Sequence, residues 1–327
     1  VDEYVKQSAI SNPHAQFTYI SPLKEKVMYR RATKELPKEP KKVKPHPYGV
    51  ELGMLMRMLK DTSAKTLEKF FTKEFSRVSP NVAKEICKKS NLAQSMKPKE
   101  VSHANADAIF KTIQETKLMA PPTDCLSPIG EEILVKSLKK EVDAEFFTSI
   151  TRPTAVYRGV PFQIEAAIAY GGSLQADNLV RLLRFANKVP LQYQQSACAV
   201  TSATVNTLWK NYGMQQSRGA LPSGAAMLVV HIASVWVPFT SESKESIAHY
   251  PEIIKEIKLA LQGCGRLLGR YLSKKRKVAD AEKKKSYITK YIPHIGEALK
   301  DLLSLKETDE KKVIILLTEE LEKSRKM

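Results

Sequence analysis

An almost continuous apolar run at residues 226–237 constrains the fold of this chain more than any other stretch. A short apolar run that ends at a breaker predicts a buried strand. Pro238 is that breaker, because a proline has no N–H to donate to the ladder of a central strand. The chain is therefore expected to build a sheet with at least one interior strand.

A lone lysine follows this strand where the pattern changes to helical. The helical spacing begins at Glu245, so Ser241 or Ser243 is the expected N-cap. Lys244 then lies in or just before the first turn, where a cation opposes the helix dipole. Residues that break a local rule often bind a ligand, and an anion such as a nucleotide phosphate suits a helix start. The alternative is an ordinary solvated lysine.

The rest of the chain predicts a helical region followed by alternating strands and helices. Residues 30–47 are rich in lysine and proline and predict a semi-rigid linker. Residues 49–141 have a helical pattern, and Ser79 and Ser127, each followed by proline, are expected to begin two of its helices. Strands are expected at 16–20, 26–30, 146–150, 161–170 and 180–191, and helices at 1–10, at 195–212 and after Lys244.

The long helix after Lys244 has an apolar seam and a basic remainder. The seam residues recur at spacings of three and four and are Ile254, Ile257, Leu261, Cys264, Leu268 and Tyr271. Between residues 266 and 290, ten Lys or Arg stand against two acidic residues. The clusters at 274–277 and 283–285 fit a nuclear-import signal, a DNA-tracking face or a solvated helix, and these alternatives stay open.

Composition limits the partners and the compartment. A net charge of +18 over 327 residues favours a polyanion such as DNA over an acidic membrane surface. No apolar run approaches the ~20 residues needed to span a bilayer. The four cysteines are widely spaced, which predicts reduced, mostly buried thiols rather than a disulfide or zinc framework. No pair of histidines has metal-ligand spacing.

Several motifs indicate one family. The strand, loop and lysine at 235–247 resemble the transducer element of the GHKL group, which includes gyrase, chaperone and mismatch-repair ATPases. Together with the other motifs they resemble the B subunit of DNA topoisomerase VI, the ATP-driven half of a type IIB topoisomerase, in family order from about residue 1 to about residue 295. Those motifs are SNPHAQF (11–17), HPYGVELG (46–53), APPTDCLSPIG (120–130), VYRG (156–159) and RFANKVPL (184–191).

This resemblance implies an α+β chain in four parts. The nucleotide-contacting helix and the glycine-rich lid of the family would lie upstream of Val1, so the segment alone is expected neither to bind nor to hydrolyse ATP. The parts are the C-terminal edge of a GHKL ATP-binding domain with its linker (1–45), an all-helical helix-two-turn-helix domain (46–141), an α/β transducer with a right-handed β-α-β crossover (142–275), and a basic stalk extension with C-terminal helices (276–327).

The resemblance also implies site residues. Lys244 would reach the γ-phosphate of ATP, as a catalytic and cofactor-binding residue, while the upstream domain holds most of the ATP and Mg²⁺. The family has a Trp-Lys-x-Tyr motif implicated in DNA contact, which Trp209, Lys210 and Tyr212 match. By their spacing alone, the two aromatics favour a helix end that closes onto the sheet, and only the resemblance raises the alternative of DNA contact. Further DNA-binding residues are expected on the long helix at Arg266, Arg270 and Lys274.

The implied function is that of an isomerase component that couples ATP hydrolysis to passage of one DNA duplex through another. The implied partners are the DNA-cleaving A subunit of topoisomerase VI, a second copy of the B subunit in a heterotetramer of two A and two B subunits, and duplex DNA, with no membrane. One alternative is a non-ATPase DNA-binding adaptor of a meiotic-type cleavage complex, which the Lys244 loop disfavours. Another is a mismatch-repair or chaperone-type GHKL protein, which the helical insert disfavours. The lysine-rich stalk favours a plant-like nuclear form over one of the archaeal cytoplasm.

Overall fold

The computed structural model describes residues 1–303 and 307–323, without the side chains of residues 285, 286, 307–310 and 321–323. Two compact units divide the chain, Val1–Leu268 and Gly269–Met327. The first unit holds every strand of the described residues and most of their helices.

The first unit begins with a helix and a small hairpin. These are α1 (Asp2–Ser11), β1 (Phe17–Ile20) and β2 (Lys26–Tyr29), and the two strands pair antiparallel. Residues 30–46 contain no helix or strand, because their prolines interrupt regular structure. The predicted helix, strands and linker are confirmed.

Four helices then form a core of their own. They are α2 (Leu52–Asp61), α3 (Leu67–Glu74), α4 (Pro80–Lys89) and α5 (His103–Glu115). Thr66, Ser79 and Ser102 cap the last three, since each side-chain oxygen accepts the backbone N–H three residues further on. Phenylalanines 70 and 71 and isoleucines 86 and 109 are completely buried between these helices. The predicted cap at Ser79 is confirmed.

A sixth helix connects this helical region to the sheet. It is α6 (Glu131–Glu141), and its N-cap is Gly130, with φ 94°. The prediction that Ser127 begins this helix is wrong. The Ser127 hydroxyl instead accepts a hydrogen bond from Lys188 Nζ at 3.0 Å, which holds it away from the helix start.

A six-stranded mixed sheet forms the centre of the first unit. Its strands are β3 (Phe146–Thr151), β4 (Ala155–Tyr157), β5 (Val160–Tyr170), β6 (Arg181–Ala186), β7 (Val189–Pro190) and β10 (Ala226–Ser234). The strands β8 (Gln215–Gln216) and β9 (Pro222–Ser223) form a separate small hairpin before β10. The order is β3-β5-β10-β6-β7, with β4 also on β5. β10 is antiparallel to β5 and parallel to β6. All nine residues of β10 are buried, so the predicted interior strand is confirmed.

Helices cover both faces of this sheet. On one face, Ile10 of α1 and Leu138 of α6 pack with Val229 of β10 and Phe185 of β6. On the other face lies the start of α8 (Pro251–Leu303), whose Cys264 Sγ donates to a backbone carbonyl of β5 at 3.4 Å. The sheet is therefore buried between two layers.

Two predicted elements around β6 are shorter than expected. The strand predicted at 180–191 is two strands, because Asn187 and Lys188 take left-handed conformations and turn the chain between β6 and β7. The helix predicted at 195–212 is α7 (Ala199–Val205), followed by a separate 3₁₀ turn at Trp209–Tyr212. Gly213 ends that turn with φ 86°, a left-handed conformation that glycine adopts without a steric cost. The strand-helix-strand unit β6-α7-β10 with parallel strands is confirmed.

The C-terminal helices are long. α8 runs from Pro251 to Leu303, and its seam of buried residues includes Ile257, Leu261, Cys264 and Leu268 as predicted, although Ile253 rather than Ile254 begins it. α9 (Glu307–Lys323) lies within residues 276–327, where C-terminal helices are expected.

Candidate functional site

The lysine after β10 lies on a closed loop. Phe239 and Ile247 form an isolated antiparallel bridge. Inside that bridge, Thr240 N donates to Ser246 O at 2.9 Å. Lys244 is exposed at the end of this loop. We call residues 239–247 the lysine loop.

Lys244 is therefore not in the first turn of a helix, and that prediction is wrong. The bridge uses the backbone groups that a helix starting at Glu245 would need, and α8 starts only at Pro251. The hydroxyls of Ser241 and Ser243 are 2.7 Å apart and cap no helix. Lys244 instead breaks a backbone rule, because its φ of 56° is left-handed and costs a residue with a Cβ roughly 1 kcal/mol.

The side-chain groups of the lysine loop suit an anion. Within the part of the chain that the structure describes, the Lys244 ammonium forms no ion pair. Its three N–H groups and the nearby serine hydroxyls are all hydrogen-bond donors, and phosphate oxygens accept such bonds. Among the described residues, no group of three or more His, Cys, Asp or Glu could hold a metal ion.

A second loop contacts the lysine loop. This supporting loop, residues 191–199, meets it where Ala199 N donates to Ile247 O at 2.9 Å. Ile247 N in turn donates to Cys198 Sγ at 3.4 Å. The hydroxyl of Ser246, a residue with no exposed surface, donates to Gln194 Oε1 at 3.4 Å. The lysine loop is thus fixed against the supporting loop at two adjacent residues.

The exit of β10 is also fixed. Ser234 N donates to Asn187 Oδ1 and Asn187 Nδ2 donates to Ser234 O, both at 2.9 Å. The Asn187 side chain thus makes the two hydrogen bonds with the Ser234 backbone that a neighbouring strand would otherwise make. This pair sets the direction in which the chain leaves the sheet toward the lysine loop.

A buried acid–imidazole pair lies on the face of the sheet covered by α1 and α6. His231 Nδ1 donates to Glu165 Oε2 at 2.7 Å, and both side chains are almost fully buried. The N–H groups of Ile129 and Gly130 donate to the same carboxylate at 2.8 and 2.7 Å. Burial raises the pKa of Glu165, but these hydrogen bonds outweigh it and leave the pKa below its ordinary value of 4.5.

Lys188 connects this pair to α1. Its N–H donates to His231 Nε2 at 3.0 Å, so that nitrogen carries no proton. Its carbonyl accepts from Ser11 Oγ at 2.6 Å and from Asn12 Nδ2 at 3.2 Å. Burial lowers the pKa of its ammonium, and the Glu165 charge partly offsets that effect. The sequence interpretation missed this network, although Glu165 and His231 are each a titratable residue within a mostly apolar strand.

The Trp-Lys-Asn-Tyr segment has one core aromatic and one accessible cation. Trp209 is completely buried, and its Nε1 donates to Thr204 O at 2.8 Å. Trp209 therefore packs in the core, and the prediction that it contacts DNA is wrong because no part of its ring is accessible. Lys210 is exposed, and Tyr212 is half-buried against the edge of Trp209 at a ring distance of 6.1 Å.

The other predicted DNA-binding residues are on α8. Arg266 is exposed in the first unit, and Arg270 and Lys274 are exposed in the second. Lys283 and Lys284 of the second basic cluster are exposed as well, whereas the side chain of Lys285 lies outside the described residues.

The four thiols are all buried. All four cysteines are free and buried, and burial raises the pKa of Cys87 to about 11 and that of Cys264 to about 12. Thiols with such pKa values carry almost no thiolate at neutral pH. None of the described helices is both long and apolar enough to cross a bilayer.

Comparison with known proteins agrees with these features. A family model described as the topoisomerase VI B subunit transducer matches residues 121–285. The B subunit of type 2 DNA topoisomerase 6 from Methanococcoides burtonii is 44% identical over 301 residues, 92% of this chain and 48% of that protein. The protein of the same name from Archaeoglobus fulgidus is 43% identical over 303 residues, 93% of this chain and 50% of that protein.

A solved structure of the 43K ATPase domain of Thermus thermophilus gyrase B, in complex with an aminocoumarin, has a TM-score of 0.27 at 16% identity, covering 51% of this chain and 44% of that one. A likeness this slight carries no inference.

The mixed sheet, with a lysine loop after its interior strand and a long helix on one face, is the arrangement expected of a transducer domain. The chain belongs to the topoisomerase VI B subunit family, as its motifs predicted. It spans about half the length of the relatives named above.

Proposed function

We propose that this chain is the transducer-bearing part of the B subunit of an ATP-dependent type IIB DNA topoisomerase, an isomerase. The observation that supports this most directly is the position of Lys244, which is exposed, free of ion pairs within the described residues, and fixed on a closed loop at the end of β10. In this proposal its ammonium contacts the γ-phosphate of a nucleotide bound, with Mg²⁺, mainly by residues upstream of Val1.

Lys244 then couples the nucleotide state to the sheet. A contact that forms only in the closed state stabilises that state over the open one. The loop can transmit this preference because residues 235–238 connect it directly to the end of β10, and Ile247 connects it to the supporting loop through Ala199 and Cys198. The proposed partners are the DNA-cleaving A subunit, a second copy of the B subunit in a heterotetramer of two A and two B subunits, and duplex DNA.

The domain bounds at residues 45, 141 and 275 remain part of this proposal, as does the nuclear localisation that the basic cluster at 274–277 favours. The two relatives named above are archaeal, and the alternative is the archaeal cytoplasm.

The test is Lys244→Ala in the full-length B subunit in complex with the A subunit. We expect ATP turnover and supercoil relaxation to fall by at least about tenfold, because the lost contact belongs to the closed or transition state. Lys244→Arg should restore activity only in part, since the guanidinium is wider and planar. Lys244→Gly should be as inactive as Lys244→Ala and more stable by up to about 1 kcal/mol, because glycine relieves the left-handed strain.

Lys255→Ala is the matched control, because Lys255 is exposed and lies outside the lysine loop. Thermal unfolding of each variant shows whether it is folded. Wild-type turnover in folded Lys244→Ala would contradict the proposal. A full-length wild-type B subunit that hydrolyses no ATP when DNA and the A subunit are present would favour the non-ATPase adaptor instead.

A further inference from the structure

Arg184 is a buried charge in the interior of the sheet. It lies on β6 opposite Val230 of β10, and only 2% of its surface is exposed. Across the described residues, no carboxylate forms an ion pair with its guanidinium. A buried charge without an opposite charge is costly, so its retention calls for an explanation other than packing.

The guanidinium binds one target, the backbone at the start of the supporting loop. Its Nη2 donates to Leu191 O and to Tyr193 O, both at 2.9 Å. Leu191 N also donates to the carbonyl of Arg184 at 2.8 Å. The other terminal nitrogen, Nη1, is buried and has no hydrogen-bond partner. Arg184 therefore holds two carbonyls of a loop that is otherwise exposed from residue 193 to residue 197.

The supporting loop carries this constraint to Lys244. Gln194 follows the second held carbonyl directly, takes a left-handed φ of 49°, and accepts the hydrogen bond of Ser246. The end of the same loop holds Ile247 through Cys198 and Ala199. Ser246 and Ile247 are two and three residues beyond Lys244. The path from guanidinium to lysine thus runs through hydrogen bonds that are each present in the structure.

We propose that Arg184 is a positioning residue for Lys244, which keeps the supporting loop, and through it the lysine loop, in the one arrangement that presents the ammonium to an anion. This assignment rests on the proposed function of Lys244. In this proposal, the buried unpaired guanidinium lowers the stability of the fold but keeps the supporting loop in one conformation.

Arg184→Met separates this role from a role in folding. Methionine has a similar length and no charge, and apolar replacements of buried charged groups are often neutral or stabilising. In the full-length B subunit in complex with the A subunit, we expect the unfolding temperature of Arg184→Met to stay within about 4 °C of wild type or to rise. ATP turnover should nevertheless fall about tenfold or more, because small misplacements of a catalytic group are costly.

Two further variants sharpen the comparison. Arg184→Lys keeps a cation that can donate to both carbonyls, and it should recover part of the lost turnover. Arg181→Met makes the same change on the same strand at a partly exposed side chain paired with Glu3, and it should leave turnover unchanged.

A double-mutant cycle shows whether Arg184 acts through Lys244. In a Lys244→Ala background, Arg184→Met should cause no additional loss of turnover, because the group that it positions is already absent. An additional loss as large as that in the wild-type background would overturn the proposal, and so would wild-type turnover in Arg184→Met.

Hydrogen exchange tests the positioning step without any assumption about ATP. The amides of residues 194–199 and 239–247 should exchange several-fold faster in Arg184→Met than in wild type, with β5 and β10 unchanged. Unchanged exchange at both loops overturns the positioning role. If exchange is faster in Arg184→Met but Lys244→Ala is fully active, the proposed function of Lys244 is refuted. The inference that Arg184 serves ATP turnover is then refuted as well. The inference that Arg184 fixes the two loops is supported by that result.

Discussion

Glu165 makes the stability of the sheet domain depend on pH in a defined direction. Its pKa in the folded state lies below the ordinary value of 4.5, because His231 and two backbone N–H groups stabilise its charged form. A carboxyl with a lowered folded pKa contributes stability that is complete above its unfolded pKa. That contribution is lost as the pH falls through the folded value.

We therefore expect the free energy of unfolding of the wild-type chain to decline as the pH falls below about 4.5. Glu165→Gln should be less stable than wild type by roughly 3 kcal/mol at pH 7, since one amide nitrogen of glutamine cannot accept the two hydrogen bonds that His231 Nδ1 and Ile129 N donate to Oε2. The difference should narrow in acid. Urea unfolding from pH 7 to pH 3 measures both curves, with Glu115→Gln at an exposed site as the control. Equal acid dependence of wild type and Glu165→Gln would show that Glu165 is not the titrating group.

Lys210 is the accessible member of the Trp-Lys-Asn-Tyr segment and the residue on which a DNA role there depends. Contacts between lysine and phosphate release counterions, so binding weakens steeply with salt. Lys210→Ala should reduce the slope of log affinity against log salt by about one unit without changing sequence preference. Fluorescence anisotropy on a short duplex across a salt series gives the slope.

Lys139→Ala is the control, because Lys139 is on α6 at the opposite face of the sheet. Binding that does not respond to salt would rule out the electrostatic mode. An unchanged slope in Lys210→Ala would remove that lysine from the contact.

Helix α8 packs closely on the sheet because two of its residues lack side chains. A Cβ on Gly263 would lie 2.4 Å from Ile150 Cδ1, and one on Gly265 would lie 2.5 Å from the Tyr212 ring. Both distances are too short for a side chain to fit without movement of its neighbour. The close approach places α8 directly beside the 3₁₀ turn that carries Lys210.

Gly265→Ala should therefore destabilise the chain by about 1–3 kcal/mol, the usual cost of overpacking a core. Helix propensity alone predicts the opposite sign, since alanine is favoured over glycine by about 1 kcal/mol in a helix interior. Gly53→Ala on α2 is the matched control, because a Cβ there meets nothing within 4 Å. Thermal unfolding of both variants decides the sign. A stabilised Gly265→Ala would mean that Tyr212 moves aside freely.

The hydrophobic periodicity of the sequence predicts most helices and strands. Where these elements end, and which polar side chains they bring together, depends on contacts between residues that are distant in the sequence. The interior strand and the seam of α8 are correct because one apolar pattern fixes each of them locally. The start of α8 was misplaced because the bridge between Phe239 and Ile247 is a tertiary pairing with no periodic signal. His231 interrupts an apolar run, which is a detectable sign of a buried polar pair, but its partner is 66 residues away on another strand. The sequence predicts that Lys244 breaks a local rule at a helix start, whereas the rule that it breaks in the structure is the left-handed φ of 56°.

On the scale of the whole chain, exposed basic residues and exposed apolar residues occur together along the second half of α8. The net charge is +18, and Lys274, Lys277, Lys283 and Lys284 are all exposed on α8. The helical spacing of Ile288, Ile292, Ile295 and Leu299, within residues 273–305, predicts a partner-binding stripe. Of these four residues, Ile288 and Ile295 are 41% and 44% exposed. Ile292 is buried and Leu299 is half-buried, so the accessible stripe is narrower than predicted, and residues 304 and 305 lie outside the described part. Exposed apolar groups among charged ones are typical of a protein contact.

Truncation after Lys277 tests whether this region recruits the A subunit. It leaves the first compact unit, Val1–Leu268, complete, so we expect a folded chain with an unchanged unfolding transition of the sheet domain. We expect that chain to lose co-purification with the A subunit, because Ile288 and Ile295 are removed. Ile288→Asp with Ile295→Asp in the full-length B subunit should weaken the complex in the same direction by introducing charge at the contact. Leu208→Asp, at a residue 69% exposed in the first unit, is the control and should leave the complex intact. A truncated chain that still co-purifies with the A subunit would place the interface within residues 1–277.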